Sequence, residues 1–151
     1  MKLRRCAAVF VVVALAWASA SMAEDRPASW LLVTNAQSFD FDGRKIILKG
    51  VSPDVVAFTD RPNRVVRDIA PSEFIKIWKD GQSEAFANDP PNAVLSVEGR
   101  LANPVILELS NPVLTGDALT FDASVLSGTL PTNGGSVSMV VDSLGQSIPL
   151  F

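Results

Sequence analysis

The chain has few of the side chains on which most catalytic and metal sites depend. Its 151 residues contain no histidine, no tyrosine and a single cysteine, Cys6. The absence of histidine excludes a Ser-His-Asp triad and an imidazole base, and the lack of cysteine beyond Cys6 excludes an ordinary zinc site. Carboxylate chemistry, lysine chemistry or a hard cation held by oxygens remains. The sequence singles out no catalytic residue.

The first residues have the three parts of a secretory signal peptide. A few basic residues precede an apolar run over 6–18, and small residues follow it. We expect cleavage after Ala23, which makes 1–23 the signal peptide, with a cut after Ala20 as the alternative. The apolar run is shorter than the roughly 20 residues of a spanning helix. We therefore predict a secreted or periplasmic protein with no integral membrane span after cleavage.

The predicted mature chain is acidic and cannot form a disulfide. Residues 24–151 carry 10 basic and 16 acidic side chains, a net charge of −6, and no cysteine. This charge argues against nucleic acid and anionic membranes as partners. Burial alone must stabilise the fold, which is feasible because a domain of about this size buries roughly two thirds of its unfolded surface.

Short alternating segments dominate the chain. The segment "WLLVTNAQSFDFDGRKIILKGV" predicts two strands joined at Asp42-Gly43, and "DVVAFTD" predicts a third between two prolines. Further strands are predicted in "AVLSVEG", "PVILELSNPV", "LTFDASVL" and "GSVSMVVD", with a turn at 133–135.

One helix interrupts this pattern, in "PSEFIKIWKDG". Ser72 is the predicted cap and Gly81 the predicted stop, and "SEAFAND" adds another turn. Phe74, Ile77 and Trp78 share one face, so they pack the helix on a sheet or, with Phe86, form an aromatic platform for a ligand. Helical spacing favours packing.

We predict a mainly β fold, an antiparallel β-sandwich (Ig-like or a partly open barrel) with one short α-helix. Seven or so short strands with turns marked by proline and glycine are typical of these architectures. The sequence has no internal repeat or long linker, so residues 24–151 are interpreted as one β-sandwich-like domain.

The turn "FTDRPNR" is the first candidate binding site. Pro62 fixes its own φ and biases Arg61 toward an extended conformation, so Asp60 and Arg64 can approach each other. Either arginine can bind a carboxylate or sulfate through its planar fork of donors. The alternatives are a solvated turn, or an ion pair that orients the helix.

The segment "NDPPNA" is the second candidate. Asp89 joins Asp60, Arg61 and Arg64 in the predicted binding set, although the segment also suits a rigid connector.

Together with "FIKIW", "FANDPPNAVLSV", "VILELSNPVL", "LTFDASVL" and "SMVVD", the "FTDRPNR" turn resembles a family of small secreted proteins, mostly uncharacterised. That family carries a DRP-x-R turn, a Phe/Trp helix, a DPPNA segment and a β-rich second half. The resemblance covers most of residues 30 to 142. It implies no activity and no catalytic residue.

Calcium is the one cofactor that the sequence leaves open. Several aspartates fall in or beside turns, as calcium ligands often do, namely Asp40, Asp42, Asp54, Asp60 and Asp89. The "DFDG" turn lacks the other ligand positions of an EF-hand loop, so a site would have to join distant segments.

These observations favour a non-catalytic binding or structural protein of the periplasm or cell exterior, with an unidentified protein or glycan partner. The alternative is a carboxylate-dependent hydrolase that acts on an extracellular polymer.

Overall fold

The computed structural model describes residues 29–80, 85–99 and 104–142. In chain order the elements are β1 (Trp30–Phe41), β2 (Lys45–Val51), β3 (Val55–Thr59), β4 (Val66–Ile69), α1 (Pro71–Asp80), α2 (Ala85–Asn88), β5 (Asn92–Val97), β6 (Val105–Thr115), β7 (Ala118–Ser127), β8 (Asn133–Gly134) and β9 (Val137–Asp142). The predicted signal peptide, 1–23, and the predicted helix stop, Gly81, lie outside the described residues.

Six strands close into an antiparallel barrel in the order β1-β2-β7-β6-β5-β9, with β9 pairing back onto β1. Closure depends on β1, which pairs with β9 through its first half and with β2 through its second. Ala36 pairs with both Val51 and Val137, so the two partners overlap at this residue. The fold is mainly β, as predicted, but the sandwich is wrong and the barrel alternative holds.

Two further strands extend from the barrel. β3 pairs with the first residues of β1, Trp30–Val33, and β4 pairs with β3. The sequence analysis did not predict β4, because of its four residues only Ile69 is buried and no alternation is visible. The β3–β4 hairpin carries the "FTDRPNR" turn at its tip.

The predicted β1–β2 hairpin is confirmed. Gly43 has φ +95°, a conformation that glycine adopts without strain. Asp42 Oδ1 accepts hydrogen bonds from the backbone N–H groups of Arg44 (2.8 Å) and Lys45 (2.7 Å). The aspartate therefore closes the turn through local backbone contacts.

Helix α1 begins two residues earlier than its predicted cap requires. The carbonyl of Ala70 accepts hydrogen bonds from the N–H groups of Glu73 (2.9 Å) and Phe74 (3.0 Å). Pro71 takes the first helical position, where its missing N–H costs nothing. Ser72 therefore lies inside the first turn, and its prediction as the cap is wrong.

An aromatic cluster joins both helices to the barrel. The ring centroid of Trp78 lies 5.5 Å from that of Phe74, 4.9 Å from that of Phe86 on α2 and 5.4 Å from that of Phe121 on β7. All four side chains are buried. The predicted packing of Phe74 and Trp78 is confirmed. Trp78 and Phe86 also border a depression of about 440 Å³, so the aromatic platform for a ligand stays a prediction.

One buried hydroxyl has no partner among the described residues. Thr34 points into the barrel at 2 % exposure, and its Oγ1 accepts and donates no hydrogen bond there.

An unsatisfied buried polar group costs about 1–3 kcal/mol, so Thr34→Val is expected to raise the free energy of unfolding by at least about 1 kcal/mol. Urea denaturation measures the change, provided that the variant and the unmodified protein have the same m-value. The exposed Thr115→Val is the control, and a loss of stability in Thr34→Val would contradict the interpretation.

Candidate functional site

The arginine turn, residues 60–65, is closed by contacts of its own backbone. Thr59 N–H donates to the carbonyl of Val65 (2.9 Å), and Val65 N–H donates to Thr59 Oγ1 (2.8 Å). Arg64 N–H donates to the carbonyl of Asp60 (3.2 Å). These hydrogen bonds therefore close the turn, and contacts between its charged side chains are not needed.

The Asp60–Arg64 ion pair that the sequence allowed does not form. Asp60 Oδ1 instead accepts the backbone N–H of Arg61 at 2.5 Å, and the Arg61–Pro62 peptide bond is cis. Within the described residues, neither the Arg61 nor the Arg64 guanidinium makes a hydrogen bond or an ion pair. Both groups are exposed, so both remain available to a ligand.

Arg64 has a backbone conformation that does not suit its residue type. Its φ is +51°, in the left-handed region, which costs a residue with a Cβ roughly 1–2 kcal/mol. Glycine or asparagine would occupy this position more readily. The presence of arginine here is therefore not explained by the stability of the turn, and such outliers concentrate at functional sites.

The turn borders a depression of about 340 Å³, called here the turn pocket. Its lining consists of Leu31, Phe58, Thr59, Asp60, Arg61, Arg64 and Val66. Its apolar members, Leu31, Phe58 and Val66, are called here the floor, and its charged members are two arginines and one aspartate. Three of the four residues predicted to bind, Asp60, Arg61 and Arg64, thus line one pocket.

The fourth predicted residue, Asp89, does not line this pocket. It is exposed and follows α2, ahead of two prolines that lead into β5. The carbonyl of Pro91 accepts a hydrogen bond from Leu109 N–H (3.0 Å), which ties this connector to β6. Its position favours the connector that the sequence offered as the alternative.

A second depression, the charged cleft, lies beside the β1–β2 turn and measures about 540 Å³. Its lining includes Asp42, Arg44, Lys45, Glu108 and Asp122. Sequence reasoning missed this cleft, because the cross-strand register that brings Lys45 opposite Asp122 is not visible in either strand alone.

Two charges of the cleft, Lys45 and Asp122, are paired with each other. Lys45 Nζ lies 2.8 Å from Asp122 Oδ1, and Asn111 Nδ2 donates to Asp122 Oδ2 at 2.8 Å. The hydrogen bond from Lys45, followed by that from Asn111, holds the pKa of the Asp122 carboxyl below its usual value. The same ion pair raises the pKa of Lys45. Asp122 therefore stays ionised and suits a structural role better than that of a general acid.

A third depression of about 500 Å³ lies against the middle of β1 and is bordered by residues of β2, β5 and β9 and of the segments next to them. Asn35, Gln37, Ser96, Glu98 and Ser138 supply most of its polar groups. Ser138 Oγ donates to Asn35 Oδ1 at 2.6 Å. No aromatic side chain lines this depression, so it offers a sugar no stacking face.

The aspartates considered for calcium stay apart. Within residues 29–80, 85–99 and 104–142, no group of three acidic side chains gathers closely enough to hold a metal ion. Asp40 instead pairs with Lys49 in the neighbouring strand.

No helix in the described part of the chain has the length and apolar character needed to cross a membrane.

Comparison with known proteins gives no match. No family model, no curated protein and no solved structure is significantly similar to this chain.

Proposed function

We propose that this protein is a non-catalytic binding protein of the periplasm or cell exterior and that it binds its ligand at the turn pocket. One observation carries the proposal: two arginines without a described side-chain partner stand over an apolar floor. A guanidinium is a planar fork of donors suited to carboxylate or sulfate. The export part of the proposal rests on the N-terminal segment of the sequence.

The conformation of Arg64 supports a binding role. The left-handed φ favours glycine or asparagine, and the turn closes through its backbone. An arginine that contributes little to the stability of its own turn is explained by what its side chain binds.

The hydrolase alternative has less support. It requires two carboxyl groups, one of them an acid with a raised pKa. The pKa values of Asp42 and Asp122 are instead lowered, Asp42 chiefly by the backbone N–H groups of Lys45 and Arg44 and Asp122 by Lys45 and Asn111.

Thermal unfolding of the full chain in the presence of small anions, glycans and millimolar calcium tests the proposal. A ligand at a hundred times its dissociation constant stabilises the folded state by about 2.7 kcal/mol, which shifts the melting temperature measurably. We expect an anionic ligand to produce this shift, and Arg61→Ala and Arg64→Gly to abolish it.

Arg44→Ala is the matched control, because Arg44 is an exposed arginine in the β1–β2 turn and does not line the turn pocket. It should keep the ligand-induced shift. A shift lost equally in all three variants would indicate binding by bulk charge, and a shift kept in Arg61→Ala and Arg64→Gly would place binding elsewhere. Either result would contradict the proposal.

A further inference from the structure

The floor of the turn pocket is part of a larger apolar surface on the outside of the barrel. Leu31 pairs directly with Phe58, and Phe58 pairs with Val66 across the β3–β4 hairpin. Val33 and Val56 form the next pair on the same face, two residues along each strand. Val66 is 60 % exposed and Val56 is 37 % exposed, so this surface is open to a ligand.

The same surface continues around the barrel as a single line of side chains, called here the apolar row. Its members, each paired directly with the next, are Val56, Val33, Val140, Val94 and Ile106. With strands about 4.8 Å apart, the row is about 19 Å long. Val56, Val94 and Ile106 are exposed, and Val33 and Val140 are half-buried. Apolar side chains left at the surface in a continuous line favour a binding role.

Charge is distributed unevenly around this surface. Arg61 and Arg64 stand at the end of the floor next to the turn. Asp68 on β4 pairs with Val56 and places a negative group at the end of the apolar row. Asp142 on β9 pairs with Leu31, so a carboxylate also lies on the barrel side of the floor. The two guanidinium groups favour an anionic head at the turn itself, and the row favours an apolar chain.

Extending the proposed function, on which this inference rests, we propose that the ligand is a free carboxylate on an apolar acyl chain. The carboxylate binds Arg61 and Arg64, and the chain lies over Leu31 and Phe58 toward the apolar row. Two guanidinium donors match a carboxylate, and burying methylene groups on the floor supplies most of the affinity.

An acyl chain fits this surface better than a peptide does. A peptide backbone carries donors and acceptors that lose free energy when they are covered without partners. The backbones of Leu31, Val33 and Phe58 are already paired in the sheet, and the hydroxyl of Thr59 is bound to Val65. Apart from its two guanidinium groups and the Asp60 carboxylate, which accepts the backbone N–H of Arg61, the pocket thus offers a chain mainly apolar contact.

Isothermal titration of the full chain with hexanoate, octanoate and decanoate tests this inference. We expect affinity to rise about fourfold for each added methylene. Octanol, which has the same chain without the charge, should bind at least about tenfold more weakly than octanoate. A flat dependence on chain length, or equal binding of octanol, would overturn the inference.

Three variants locate the contacts. Arg61→Ala and Arg64→Lys should each weaken octanoate binding about tenfold, because the first removes a fork of donors and the second replaces it with a point charge. Val66→Thr should weaken it about fourfold by removing one methyl contact. Val66 is 60 % exposed, so this variant should fold normally. Unchanged affinity in all three variants would overturn the inference.

Titration with a peptide that ends in leucine separates this inference from the proposed function. The acyl ligand would be overturned if decanoate did not bind while the peptide bound more tightly as its free carboxylate than as its amide. The proposed function would then stand if Arg64→Lys weakened the binding of that peptide. If neither the Arg61 nor the Arg64 substitution weakened the binding of any anion, both the acyl ligand and the proposed function would be overturned.

Discussion

Trp78→Ala is expected to lower the free energy of unfolding by about 3–5 kcal/mol, the range for removing a large buried aromatic side chain. Trp78 is 7 % exposed and contacts the rings of Phe74, Phe86 and Phe121, which belong to three different elements. Its removal leaves a cavity where α1, α2 and the barrel meet. Because a domain of this size has only about 5–15 kcal/mol of stability, the variant should unfold at a much lower urea concentration.

Lys76→Ala on the same helix is the matched control. Lys76 is exposed, and a surface substitution of this kind changes stability by about 0.5 kcal/mol or less. If Trp78→Ala cost no more than this control, the aromatic cluster would not hold the helices on the barrel. The short helix α1, which is too short to be stable in isolation, would then need another source of stability.

Gly134→Ala is expected to destabilise the fold by about 1–3 kcal/mol, the usual cost of overpacking a core. A Cβ at Gly134 would overlap with Cε1 of Phe39 and lie 2.8 Å from its Cζ. Phe39 is fully buried, so its ring cannot move aside without displacing other core side chains. The short strand β8, which pairs with Phe39 and Asp40 of β1, depends on this close approach.

The neighbouring glycine provides an internal control. A Cβ at Gly135 would meet nothing within 4 Å, so Gly135→Ala should change stability by no more than about 0.5 kcal/mol. Denaturant unfolding of the two variants in parallel measures the difference. Equal stability of the two variants would contradict the packing of β8 on Phe39.

Local features of the fold were predicted well from sequence. The hairpin at Asp42-Gly43, the helix over 71–80 and the alternating strands of the second half all appear in the structure, because turn residues and periodicity report on local geometry. Closure into a barrel was not predictable in this way. Strands of a sandwich and of a barrel both bury one face, and only the pairing of β1 with both β2 and β9 distinguishes them.

Only the charged residues of the turn pocket were predictable from sequence, and Asp89, which was predicted with them, lies elsewhere. Proline between Asp60 and Arg64 indicates a turn, and arginines in a turn indicate an anion. The carboxylate of Asp60 bonds its neighbour's backbone instead of Arg64, which local sequence does not specify. The apolar floor comes from Leu31 and Val66, which reach the turn only through strand pairing.

The central claim is that Arg64 serves a ligand and not the turn, and the unfolding free energy of Arg64→Gly tests it most directly. Glycine adopts the left-handed conformation without the roughly 1–2 kcal/mol that this conformation costs arginine. Against this, glycine loses up to about 1 kcal/mol more chain entropy on folding. The account predicts a stability that is unchanged or raised by up to about 1 kcal/mol. A loss of more than about 1 kcal/mol in the free energy of unfolding is typical of a destabilising substitution. It would show that the Arg64 side chain stabilises the fold, and it would contradict the account.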